Sequence, residues 1–278
     1  MSRSGVSKPS SPPDAAGRKR NGPATPVIEL RSVYKRFGRL EVLRGIDLKL
    51  HAGQTTVVIG ESGTGKSVLL KHIVGLLRPD AGEVFFKGTR VDGLGERKFT
   101  EIRRKFGFLF QGGALFDSMT ASENVGFPLA EHTRKGHDEI AAIVAEKLRM
   151  VGLEGIGPKK PAELSGGQRK RVALARAIAL DPEVILYDEP TTGLDPVRAD
   201  VINELIVKLK RELNVTGVVV THDMTSAYKV ADRIVMLYEG EFIADGTPDE
   251  IRKADDERVQ RFIEGRAGED ELRALHGE

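Results

Sequence analysis

The stretch best equipped for chemistry is Gly60-Glu61-Ser62-Gly63-Thr64-Gly65-Lys66-Ser67. Glycines bracketing a short spacer, followed by Lys-Ser, let the backbone curl with its N–H groups aimed inward at a chain of phosphates. A continuous apolar run, TTVVIG, enters this loop, and the helical pattern SVLLKHIVGLL leaves it. The loop therefore closes on the positive end of a helix. Lys66 is placed to reach the terminal phosphates, and the Ser67 hydroxyl to ligate Mg2+. A second stretch, EVILYDEP, ends in Asp188-Glu189. Two carboxylates at the carboxyl end of a sheet strand are electrostatically costly unless a cation or a reacting water uses them. Asp188 is thus expected to share the Mg2+, and Glu189 to orient or deprotonate an attacking water.

A third candidate is Leu164-Ser165-Gly166-Gly167-Gln168, which precedes the helical run RKRVALARAIAL. Ser165 suits an N-cap, and the two glycines expose backbone N–H groups at the helix start. Arg169, Lys170 and Arg171 then fill the first turn with the wrong sign for the helix dipole. An anion at that end would relieve the conflict; a simply solvated basic turn is the alternative.

These residues need a scaffold. VIELRSVYKRF and VLRGIDLKL alternate apolar and polar residues, as half-buried antiparallel strands do. GEVFFKG and FGFLFQ read as further strands. Residues from about 112 to 165 lack comparable strands and contain the amphipathic helix HDEIAAIVAEKLRMVGL, which predicts an inserted helical subdomain. Strands return with EVILYDEP, GVVVTHD and RIVMLYEGEFIADG, separated by VALARAIAL and VRADVINELIVKLKREL as helices. Continuous apolar strands alternating with helices predict an α/β fold whose parallel sheet is covered on both faces. After Gly246, TPDEIRKA, DDERVQRFIEG and EDELRALHG predict short C-terminal helices, with residues 251–278 as a helical tail.

Composition narrows the function classes. The 278 residues include no Cys, which removes disulfide scaffolds, thiolate nucleophiles and Cys-ligated zinc. No apolar run approaches the roughly 20 residues of a bilayer span, and no secretory h-region follows the N-terminal charges. Residues 1–26 hold Arg3, Lys8, Arg18, Lys19 and Arg20 against Asp14 alone, whereas the whole chain is only +2, so everything after residue 26 is net acidic. That argues against a nucleic-acid partner. Rich in Ser, Pro, Gly and Ala, residues 1–26 read as a disordered basic tail. His51, His72, His137 and His276 show no metal-ligand spacing, and His132 reads as structural or exposed.

LSGGQ, together with the phosphate loop and VILYDEPTTGLDP, resembles the ATP-binding cassette (ABC) family over about residues 27–250. The resemblance implies a P-loop NTPase cassette: a RecA-like mixed-sheet core, an antiparallel β subdomain and an α-helical subdomain, with ATP and Mg2+ as ligands. It implies that Phe37 stacks on adenine, that Gln111 contacts Mg2+ and links the site to the helical subdomain, and that His222 contacts the γ-phosphate. Gly193-Leu194-Asp195 resembles the family's D-loop. It further implies a head-to-tail dimer with a second ATPase subunit, in which Ser165, Gly166, Gly167 and Gln168 close on ATP held by the partner.

The segment Leu109–Thr133, LFQGGALFDSMTASENVGFPLAEHT, resembles the Mla/Mce-type lipid-transport ATPases through its QxGALF, NV and PLxEHT elements. That resemblance implies an integral membrane permease, an MCE-domain substrate-binding protein and, as a further candidate, a STAS-domain subunit. It also implies a peripheral position on the cytoplasmic face of the inner membrane. Phe110, Leu115, Phe116 and Phe127 either form the subdomain core or line a groove for a permease helix. An importer of small polar solutes is the alternative within the family. A non-transport cassette acting on ribosomes or DNA is more remote, since the chain has neither a second cassette nor a long coiled-coil insertion.

Overall fold

The computed structural model describes residues 25–267. Residues 1–24 of the expected basic tail, and the helix expected over EDELRALHG, lie outside them. Strands β1 (Ile28–Phe37), β2 (Leu40–Leu50), β4 (Ala81–Phe86) and β5 (Thr89–Arg90) form an antiparallel sheet in the order β2-β1-β4-β5. Strands β3 (Thr55–Ile59), β6 (Phe106–Leu109), β7 (Val184–Asp188), β8 (Thr216–Thr221), β9 (Arg233–Tyr238) and β10 (Glu241–Gly246) form the second sheet, in the order β10-β9-β3-β8-β7-β6. All its pairings are parallel except the β9–β10 hairpin at one edge. The mixed sheet and the antiparallel sheet match the expected α/β class.

Period-two alternation splits the core in two. On one face of the mixed sheet, Val57, Ile59, Ile185, Tyr187, Val219, Ile234 and Met236 pack with the helices that follow β6, β7 and β8. On the other, Val58, Val184, Leu186, Val218, Val220, Val235 and Leu237 pack against the antiparallel sheet and helix α1 (Lys66–Ile73). This second face is thus covered largely by strands rather than by helices alone. Each fully buried Val or Ile contributes about 1.5–3 kcal/mol, so a polar residue at either set of positions would open a face.

Residues 112–165 contain helices α3 (Ala121–His132) and α4 (His137–Met150) and a single 3-10 turn at Pro161–Glu163, with no strand. Helix α3 packs on α4 and on α5 (Gly166–Ala177), which joins this helical unit to the sheet. Reciprocal capping boxes, Thr120 with Glu123 and Ser165 with Gln168, start α3 and α5. Asp195 caps α6 (Pro196–Leu213), with proline in the first turn, and Asn214 ends it in the left-handed region at φ 50°.

Three helices carry no individual expectation from the sequence. One is α3, which lies in the segment expected to be helical but has Pro128 inside it. Helix α2 (Glu96–Arg103) buries only Phe99, whose ring sits where a Cβ on Gly75 would fall, so too few apolar residues mark it. Helix α7 (Met224–Val230), capped by Asp223, is too short for a clear period. Helix α1 ends at Ile73, sooner than the apolar run SVLLKHIVGLL suggests, because Gly75 turns at φ 66°. Part of the expected C-terminal tail belongs to the core: Ile251 of α8 (Pro248–Arg252) and Val259 of α9 (Glu257–Glu264) are buried in it. Among the described residues, no helix is long and apolar enough to cross a membrane.

Candidate functional site

The carboxyl ends of β3, β7 and β8 lie side by side, and the candidate chemistry sits there. Register places Asp188 beside Val220, and Ile59 beside Thr221, so the loops carrying Gly60, Glu189 and His222 emerge together. Gly60 adopts φ 151°, and a Cβ there would sit 2.3 Å from the Leu237 carbonyl oxygen. Gly65 adopts φ 102°, with its missing Cβ 2.8 Å from Val42 of β2. Only glycine passes both points, which folds the loop around Lys66. The Lys66 ammonium donates to the carbonyls of Gly60 and Glu61, each at 2.7 Å, and lies 3.9 Å from Glu189 Oε1. Glu61, Ser62 and Gly63 form the exposed outer arc of the loop, and Thr64 closes it by donating to the Glu61 carbonyl at 2.9 Å.

Ser67 Oγ donates to Asp188 Oδ1 at 2.8 Å. Glu189, in the left-handed region at φ 47°, is held on both carboxylate oxygens. Oε1 lies 3.0 Å from His222 Nδ1; Oε2 accepts from Thr192 Oγ1 at 3.0 Å and from Thr221 Oγ1 at 3.3 Å. Both threonines escaped the sequence reading, although each adjoins a motif residue. Burial pushes the Lys66 ammonium down from the usual lysine value, with Glu189, Asp188 and Glu61 pulling it back up. Burial pushes the Asp188 carboxyl up, opposed chiefly by the Ser67 hydrogen bond. For both groups desolvation outweighs the opposite charges beside them.

Ser67, Asp188 and the exposed Gln111 offer only hard oxygen donors, which suits Mg2+ rather than a soft metal. Among the described residues no group of three His, Cys, Asp or Glu side chains could hold a metal. A magnesium ion here would need phosphate oxygens to complete its shell, as it does where it binds with a nucleotide.

The second group of candidates stands apart. Ser165 and Gln168 close on each other in the capping box, with Gln168 N donating to Ser165 Oγ at 3.3 Å and Ser165 N to Gln168 Oε1 at 2.9 Å. Asp195 accepts from Arg198 N at 3.0 Å. Leu194 and Arg198 border Gly166 and Gly167, so the two segments are neighbours. Ser165 and Gly166 remain partly or fully accessible. The three cations of the first turn of α5 are held on main-chain carbonyls. Arg169 donates to the Leu164 carbonyl at 2.7 Å, Arg171 to Gly152 at 3.0 Å, and Lys170 to carbonyls behind the helix.

Phe37, at the tip of the β1–β2 hairpin, is 47% exposed and free to stack on a ring. The side chains expected to form either the subdomain core or a groove divide. Leu115 packs against the core, whereas Phe110 and Phe116 are 36% and 41% exposed. With Phe127 and Phe108 they line a groove of about 540 Å3 between the sheet edge and α3, and His132 stands exposed at its rim. Phe108 stacks on Phe110 at 4.1 Å, and Phe116 tilts against Phe127 at 4.8 Å.

The family model for ABC transporters matches residues 43–192. The intermembrane phospholipid transport system ATP-binding protein MlaF of Haemophilus influenzae is 41% identical over 239 residues, covering 86% of this chain and 90% of that protein. The probable ribonucleotide transport ATP-binding protein mkl of Mycobacterium leprae is 43% identical over 240 residues, covering 86% of this chain and 69% of its own. A solved dimeric ATP-binding cassette in a post-hydrolysis state, bound to ADP and Pi, superposes with a TM-score of 0.74 at 37% identity, covering 80% of this chain and 98% of that one.

Proposed function

The chain belongs to the ABC transporter ATP-binding family, and from that premise we propose that this ATPase energises the movement of phospholipid or a related lipid between membranes. The observation that carries the lipid reading is the near end-to-end match to a phospholipid-transport ATPase, 90% of whose length the chain covers. The mycobacterial relative, a probable ribonucleotide transport ATP-binding protein, supports a second reading, transport of ribonucleotides.

In the proposed cycle, Phe37 stacks on the adenine and the loop from Gly60 to Ser67 wraps the phosphates. Lys66 exchanges its two loop carbonyls for phosphate oxygens. Mg2+, held by Ser67, Asp188 and Gln111, would neutralise charge on those oxygens. Glu189 accepts a proton from the attacking water, its carboxylate oriented by His222, Thr192 and Thr221. His222 uses Nδ1 on Glu189, which leaves Nε2 to meet the γ-phosphate. Ser165, Gly166, Gly167, Gln168 and Asp195 face a second copy of the chain, closing on the nucleotide held there. The solved relative, being dimeric, supports this arrangement.

The aromatic groove around Phe110 and Phe116 is the proposed seat of a permease helix, which would hold the ATPase peripherally on the cytoplasmic face of the inner membrane. An MCE-domain protein and a STAS-domain subunit are the further proposed partners. The test is reconstitution of the chain with its permease in proteoliposomes. ATP-dependent transfer of a fluorescent phospholipid, without uptake of labelled ribonucleotide, is the expected result. The reverse pattern would replace the lipid reading with the ribonucleotide one.

A further inference from the structure

Helix α5 presents several cations, and Lys170 differs from the others. It is 6% exposed, and its ammonium donates to two main-chain carbonyls, Gln111 at 2.8 Å and Glu189 at 3.0 Å. Among the described residues it forms no ion pair with a carboxylate within 4.0 Å. The two carbonyls belong to different loops, those leaving the adjacent strands β6 and β7. Further along α5, Arg176 grips the first of these loops again, donating to Gly113 at 2.9 Å and Ala114 at 2.8 Å. The loop carrying Gln111 is therefore fastened to α5 at two points. Only Lys170 continues across to Glu189.

Glu189 needs such a hold. A non-glycine residue in the left-handed region costs about 1–2 kcal/mol and persists only where its surroundings fix it. Its N–H donates to the Val220 carbonyl at 3.0 Å, and its own carbonyl accepts from Thr192 N at a long 3.3 Å. Lys170 supplies the shorter contact to that carbonyl. Burial pushes the Lys170 ammonium below its usual value while Glu189 and Asp188 pull it back. Desolvating an ammonium is costly, and a methionine would fill the same space without that cost. The gain from the ammonium lies in the two carbonyls it joins.

We infer that Lys170 is a positioning residue for hydrolysis: by joining the carbonyls of Gln111 and Glu189, it makes the aim of the Glu189 carboxylate follow the placement of α5 and the Gln111 loop. This inference rests on Glu189 acting as the base. A compact ammonium with three donors suits two carbonyls on adjacent loops, where a planar guanidinium would splay them. Glutamine keeps two N–H donors on a shorter arm and should restore part of the link.

The test uses the full chain with Mg-ATP. Lys170→Met should lower kcat about tenfold or more, as loss of hydrogen bonds from a charged donor does, with KM and nucleotide affinity within about twofold. Lys170→Gln should fall between that variant and the wild type, and it carries the same test if the methionine variant fails to fold. Added to Glu189→Gln, Lys170→Met should leave ATP affinity unchanged. A general packing role would instead lower affinity and melting temperature together in both backgrounds, and that result overturns the inference. Normal turnover by Lys170→Met beside an inactive Glu189→Gln overturns it alone. Normal turnover by Glu189→Gln removes the base assignment, and this inference with it.

Discussion

Asn124 of α3 gives the most quantitative test of how the segment after Gln111 is built. Its side chain is 0% exposed. Oδ1 accepts from Phe116 N at 2.8 Å, and Nδ2 faces the carbonyls of Phe116 at 3.1 Å, Met119 at 3.2 Å and Thr120 at 3.0 Å. With two amide hydrogens for three carbonyls, it makes at most three good hydrogen bonds at once. Asn124→Leu keeps the branching and the number of side-chain heavy atoms and removes all three. At about 1 kcal/mol each, the loss is about 3 kcal/mol, a sizeable share of an ordinary stability of about 5–15 kcal/mol. That corresponds to a fall in melting temperature of about 6–12 °C. Hydrogen exchange gives an independent reading, since the Phe116 amide should lose protection before the strands do. Because Phe116 lines the aromatic groove rather than the nucleotide loop, nucleotide affinity should stay within about twofold while any response to the permease falls. A leucine variant that melts within about 2 °C of the wild type, with Phe116 still protected, would refute the reasoning.

Three other outcomes follow from the same geometry. Gly60→Ala drives a methyl into the Leu237 carbonyl oxygen, whereas Gly63, at φ 86°, has open space around its missing Cβ. The first should cost well over tenfold in ATP affinity by fluorescence titration, and Gly63→Ala markedly less. Ser67→Ala removes the hydroxyl bonded to Asp188, and should raise the Mg2+ concentration needed for half-maximal turnover while leaving metal-free nucleotide binding intact. His72 is buried with Nδ1 on the Val68 carbonyl; burial pushes its pKa down, opposed first by that hydrogen bond, and Lys35 adds to the fall. The folded state therefore binds fewer protons than the unfolded chain, so stability is full above about pH 7 and declines as pH falls through about 6.5. Urea midpoints at pH 7.5 and 5.5 should show that decline in the wild type and less of it in His72→Leu.

The chemistry was legible where a single local pattern carries it. The loop Gly60–Ser67 demands glycines at fixed points, and the strand before Asp188 is apolar on both faces, so each can be read without a partner. The alternation of Val218, Val219 and Val220 between two cores is also local, and it announces a sheet covered on both sides. What faces Val218 and Val220 was not legible, because an antiparallel sheet and a helix present the same apolar surface to a strand. Lys170 was misread for a related reason. In sequence it is one of three cations at a helix start, and only the fold brings the carbonyls of Gln111 and Glu189 to it. Thr192 and Thr221 likewise become supports of Glu189 only when β7 and β8 lie in register.

The central claim, that Glu189 removes the proton from the attacking water, is tested most directly by Glu189→Gln in the full chain. ATP affinity within about twofold of the wild type, turnover lower by about a hundredfold or more, and a dimer that persists with ATP on size exclusion are the predicted results. Turnover at the wild-type rate by that variant would contradict the account.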